Sequence, residues 1–171
     1  GNSSDTMTEP SKDEETVLVS WVSVNHRAAP ILTALKEKTG ILRGGVRKLY
    51  LCWRDSREED GERERTALNE TLDQLRGELG DQCPEIERMP WKTSSPPTDH
   101  TAIRPFAEQT LQRIRKLHPA AHVFINVSPG TPAMHAVWLV LGATGFIEGP
   151  LTLIQTADER ARKAGLPAIQ S

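Results

Sequence analysis

The sequence predicts a single α/β domain built on a mostly parallel sheet with helices on both faces. Three observations point there. Short β-branched apolar runs alternate with amphipathic helical runs along the chain, and such alternation builds a parallel sheet because right-handed crossovers permit little else. The first apolar run, Val17–Val24 (VLVSWVSV), has little apolar–polar alternation, as expected of a strand covered on both faces. The length, 171 residues, suits one compact domain and leaves little room for a second.

The elements follow in order. Residues 1–15 (GNSSDTMTEPSKDEE) are polar and turn-rich and are expected to be a disordered tail. After the strand Val17–Val24 comes a short helix, about Pro30–Lys38, with Pro30 acceptable in its first turn. Gly40, Gly44 and Gly45 break the chain before a second strand, Val46–Trp53 (VRKLYLCW). Arg54–Glu64 is a loop dense in charges of both signs. Leu68, Leu72, Leu75 and Leu79 then recur on one helix face, and Gly80 stops that helix. Glu85–Trp91 is a weaker strand, and KTSSPPTD is a loop by composition. A second amphipathic helix, about Thr101–Leu117, turns Ile103, Phe106, Ala107, Leu111, Ile114 and Leu117 inward, with Pro105 near its start. His122–Val127 (HVFINV) is a strand. SPGTP follows, then a nearly all-apolar helix, Ala133–Ala143, and a last strand, Pro150–Thr156. Residues 158–171 are expected to form a polar exit helix or a linker to an effector outside this chain. The predicted architecture is Rossmann-like, with its functional domain over residues 16–157.

Composition narrows the function classes. Apolar residues make up 37% of the chain, enough for one core, and the net charge is −2. No global positive field exists to hold duplex nucleic acid, so a nucleic-acid-like ligand must be small and held locally. No stretch approaches the roughly 18 apolar residues of a membrane span, so no membrane partner is expected. Cys52 and Cys83 form neither a metal cluster nor a disulfide framework, and Cys52 reads as a buried thiol in a reducing cytoplasm. The histidines lack paired metal-ligand spacing. Neither a metal nor a cofactor is expected, and no residue is assigned a catalytic role.

In open α/β sheets, ligands bind beyond the carboxyl ends of the strands, where the strand order reverses. Two loops are candidates. The first follows the first strand and offers Ser23, Asn25, His26 and Arg27. The amide of Asn25 can donate to and accept from a base or ribose edge, and His26 and Arg27 suit phosphate. The second follows the fourth strand: Ser128, Pro129, Gly130, Thr131 and Pro132. Gly130 permits a positive φ and a close backbone approach. Thr131 can cap the next helix, and Pro132 fits its first position. The free N–H groups there favour an anion, with the hydroxyls of Ser128 and Thr131 as further donors. Met134 and His135 lie in the first helical turn, within reach of an adenine or ribose. The same pentapeptide also reads as an ordinary well-capped turn. It is neither a Walker A loop, having no Gly-Lys-Ser/Thr ending, nor the GxGxxG fingerprint. Trp21 and Trp53 sit in strands and read as core, Trp138 as core or dimer interface.

The segments VLVSWVSVN, HVFINVSPGTPAMHAVWLVLGATGFIE and PLTLIQT resemble the sensor domains of the CARF (CRISPR-associated Rossmann fold) family. They look closest to those of RNA-repair-regulator-like, sigma-54-dependent activators and related modular effectors. The resemblance spans roughly Val17–Thr156, and its specificity sits in the strand–SPGTPAM–helix unit. It implies a homodimer that binds a cyclic oligoadenylate, cyclic tetraadenylate or cyclic hexaadenylate, across its two-fold axis and reports occupancy to a fused effector in antiviral signalling. The family's first motif falls on Ser23, Asn25 and His26. Its second falls on Ser128, Gly130 and Thr131, with Met134 behind. Many members carry a basic residue directly after Gly-Thr, where this chain has Pro132. That departure lowers the expectation of a ring nuclease, the enzymatic alternative, and leaves Arg27, His26 or a partner's basic residue to compensate. A sensor of RNA ends is a further alternative.

Overall fold

The computed structural model describes residues 15–36, 45–156 and 169–170. The expected N-terminal tail, Glu15 apart, lies outside the described residues, as do Gly40, Gly44 and most of the C-terminal extension. Among the described residues, six strands form one sheet: β1 (Thr16–Trp21), β2 (Lys48–Asp55), β3 (Glu85–Lys92), β4 (His122–Asn126), β5 (Leu151–Thr156) and β6 (Ile169–Gln170). Among the same residues, four α-helices intervene: α1 (Ala29–Lys36), α2 (Gly61–Leu79), α3 (His100–Leu117) and α4 (Pro132–Ala143).

The spatial order is β3-β2-β1-β4-β5-β6. The first five strands run parallel, and β6 pairs antiparallel with β5 through Gln155 and Thr156. The chain therefore moves outward from β1 through β2 to β3, then returns to the other side of β1 to lay down β4 and β5. The order reverses between β1 and β4.

Strand periodicity divides the apolar side chains between two cores. Val17, Val19 and Trp21 of β1, Tyr50 and Cys52 of β2, and Val123 and Ile125 of β4 pack against α3 and α4. Leu18, Leu49, Leu51 and Phe124, one residue out of phase, pack against α1 and α2. Because the central strands are buried on both faces, their sequences carry no apolar–polar alternation. Trp138 is fully buried and belongs to the core. Burial holds the Cys52 thiol far above its ordinary pKa.

Local chemistry fixes the helix ends. Asp99 caps α3, its carboxylate accepting from Ala102 N at 3.2 Å. Gly80, at φ 53°, closes α2, its N–H donating to the Arg76 carbonyl. Pro105 lies inside α3, in its second turn, and forgoes the intrahelical bond that an N–H there would make to the Thr101 carbonyl. Among the residues expected inward, Leu117 is 48% exposed, as the last residue of α3.

Candidate functional site

A cleft of about 260 Å³ opens beyond the carboxyl ends of β1 and β4, at the point where the strand order reverses. Both candidate loops reach it. Ser23 and Asn25 form one wall, and Gly130, Thr131 and Met134 another. Arg54, Asp60, Arg63 and Glu64, from the end of β2 and the start of α2, complete it together with Trp21, Trp53 and Pro97. His26, Arg27, Ser128 and Pro129 do not line this cleft.

The turn after β4 is built as its residues dictate. Gly130 has φ 101°, a conformation that a side chain would strain. A Cβ there would also lie 2.8 Å from Met134 Sδ. Thr131, in extended conformation, caps α4, and Pro132 occupies the first turn. The cap is reciprocal: Met134 N donates to Thr131 Oγ1 at 3.3 Å, and Thr131 N donates to Met134 Sδ at 3.4 Å. Thr131 Oγ1 also donates to the Pro97 carbonyl at 2.6 Å. Its hydroxyl proton therefore serves the loop between β3 and α3, not open solvent.

Three other candidates are similarly engaged. Ser128 Oγ donates to the Thr156 carbonyl at 3.3 Å and accepts from Thr156 N at 2.7 Å, so it ties the turn to β5. His135 Nδ1 donates to the Val127 carbonyl at 2.9 Å, which fixes the ring against its own turn. Arg27, at φ 52°, pairs with Glu70 at 2.8 Å and donates to the Val24 carbonyl. Asn25 is exposed on the rim of the cleft. Buried Ser23 accepts from His26 N at 2.9 Å through Oγ and from Arg27 N at 2.9 Å through its carbonyl, shaping the loop after β1.

Sequence reasoning missed the charged wall. Arg54 is 3% exposed. It pairs with Glu64 at 2.5 Å and Asp60 at 3.2 Å, and its Nε donates to the Ser95 carbonyl at 2.9 Å. Burial raises the Glu64 pKa above the ordinary carboxylate value, against the opposing pull of Arg54. Exposed Arg63 enters no ion pair among the described residues. A signal for this wall did exist: Arg54 directly follows an apolar strand, at the end where ligands bind. Trp21 and Trp53, read as core, also contribute to the lining of the cleft; Trp21 is 1% exposed with its ring packed on Trp91 and Phe106, and the indole N–H groups of both are buried without a hydrogen-bond partner. Among the described residues, no cluster of His, Cys, Asp or Glu is placed to hold a metal ion, and no helix is long and apolar enough to cross a membrane.

A solved structure shares this fold. It is that of Enterococcus italicus Csm6 bound to cyclic hexa-2′-fluoro-hexa-dAMP, similar to this chain with a TM-score of 0.64 and 17% sequence identity. The match covers 86% of this chain and 35% of the Csm6 chain. No protein-family model matches the chain, and no curated protein matches it. The likeness to Csm6 is one of fold, and it supports the Rossmann-like architecture expected from the sequence.

Proposed function

We propose that this chain is the sensor domain of a CARF-type effector. It binds a cyclic oligoadenylate, cyclic tetraadenylate or cyclic hexaadenylate, across a homodimer, and occupancy controls a fused effector. The observation that carries this reading is the position of the cleft. It lies between the β1 loop and the capped turn of α4, at the strand-order reversal of a fold shared with a Csm6 chain bound to a cyclic adenylate analogue. Thr131 N and Met134 N are held within the cap, so what α4 offers a phosphate is the partial positive charge of its first turn, and the aromatic and apolar walls suit an adenine. A two-fold-symmetric ring would meet the same loops twice in an isologous dimer. An effector responds only as far as the ligand binds two dimer arrangements with different affinity.

Titration calorimetry with cyclic tetraadenylate and cyclic hexaadenylate tests the reading. One ring is expected to bind with a stoichiometry of one per two chains. Asn25→Ala, a change at an exposed position, is expected to weaken binding roughly tenfold, the cost of one lost hydrogen bond to the ligand, with an unchanged melting temperature. Absence of binding by the unaltered protein overturns the sensor reading, and full affinity in the variant removes Asn25 from the site.

A further inference from the structure

We infer that Arg63 offsets the negative charge of the cleft's wall and is the side chain that takes a phosphodiester anion there. The inference deepens the sensor reading and rests on it. Three arginines stand near the candidate loops, and two are committed. Arg27 is held by Glu70 and the Val24 carbonyl. Arg54 is buried between Glu64, Asp60 and the Ser95 carbonyl. Arg54 faces two carboxylates, so with both ionised this trio carries a net negative formal charge. An anion entering the cleft would meet Asp60, whose side chain is 56% exposed.

Arg63 offsets that excess and brings the formal charge of the four groups to zero. It lines the same cleft as Gly130 and Thr131, and also the adjoining hollow beside Asn25 and Arg27. It is exposed and enters no ion pair among the described residues. It sits in the first turn of α2 (Gly61–Leu79), where the helix end adds partial positive charge. A guanidinium presents parallel N–H donors that fit two phosphate oxygens. The turn after β4 has Pro132 directly after Gly-Thr and supplies no cation. Arg63, at the start of α2 in the lining of the same cleft, supplies the charge that the turn lacks.

The test compares three variants of the whole chain by calorimetry with cyclic tetraadenylate and cyclic hexaadenylate over a salt series. Arg63→Gln is expected to weaken binding about 10- to 100-fold, the range for a lost hydrogen bond to a charged group, and to flatten the salt dependence. Asp60→Asn is expected to strengthen binding severalfold, because it removes a negative charge from the same wall. Asp60 makes no side-chain capping hydrogen bond, and asparagine is an equally good cap, so the helix start survives the change. Arg76→Gln removes the same charge near the far end of α2, about 20 Å away, and is expected to leave affinity unchanged. Melting curves confirm that each variant folds. If the unaltered protein binds and Arg63→Gln matches it in affinity and salt slope, the assignment of Arg63 is wrong while the sensor reading stands. If Asp60→Asn and Arg63→Gln both weaken binding, the carboxylates hold the ligand and the assignment is again overturned. If the unaltered protein binds neither ring, the sensor reading falls and the inference with it.

Discussion

Gly130 meets two separate demands. Its φ of 101° lies in a region that L side chains rarely adopt, and the space over its Cα is taken by Met134 Sδ and Trp21 Cβ. An alanine there would strain the backbone and push Met134 away from the amide of Thr131 that it accepts from. Gly130→Ala is therefore expected to destabilise the domain by about 1–3 kcal/mol. Urea unfolding would show this as a lower midpoint at unchanged slope, and coincident midpoints would contradict it. Much of this turn was legible in the sequence. Glycine, capping threonine and first-turn proline declare their conformations locally, without knowledge of the rest of the chain. What Thr131 and Ser128 do with their hydroxyls was not legible. Their partners, the Pro97 carbonyl and the backbone of Thr156, become neighbours only once the sheet is assembled. Arg27 shows the same limit, since its charge reads as available until α2 brings Glu70 beside it.

Between elements, the pairing of β4 with β5 contains a group sensitive to acid. His122 Nε2 bonds Thr152 Oγ1 at 2.7 Å, and the ring stacks on Phe124 at 4.1 Å. Burial, with the nearby charge of Arg115, holds its pKa below the ordinary histidine value. Below that ordinary value, about 6.5, the unfolded chain binds a proton that the folded chain refuses. This contribution to stability is complete above the unfolded pKa and is lost as pH falls toward the folded one. His122→Gln keeps a polar amide near Thr152 and cannot titrate. Between about pH 7 and pH 5, the unaltered protein should lose more stability than the variant, as read by melting temperature. Parallel losses would show that His122 contributes nothing to the pH dependence. Helix faces were readable at this scale because leucine spacing records burial directly. Strand ends were less so: β2 extends past Trp53 to Asp55, since backbone pairing with β3 continues through Arg54↔Trp91 and Asp55↔Lys92, beyond the apolar run. The pairing of Ile169–Gln170 with β5 was not anticipated, because two residues leave no periodic signal.

For the molecule as a whole, topology brings separated motifs to one cleft. The reversal of strand order between β1 and β4 brings loops more than a hundred residues apart in sequence to opposite walls of one cleft. Alternating elements and a placement rule for ligands made that legible before any coordinates. The charged wall from β2 and α2 was harder to read, because a mixed-charge loop looks the same whether it is solvated or folded over a site.

The same scale governs the proposed dimer. Helix α4 is apolar on its outer as well as its inner side, with Leu139 44% and Val140 43% exposed. Val140 also borders a shallow hollow with Ala136, Val137 and, from α3, Thr101, Arg104 and Pro105. An exposed apolar patch on a helix that caps the cleft is a reason to place a second copy there. Leu139 lies eight residues past Thr131, about 12 Å along the helix. Leu139→Glu combined with Val140→Glu puts charge on this face without entering the core. Sedimentation is expected to show the double variant as a monomer, and its affinity for the ring should fall because each half-site then acts alone. A variant that remains dimeric with undiminished affinity would place the interface on another face, and the two clefts would have to meet by a different route.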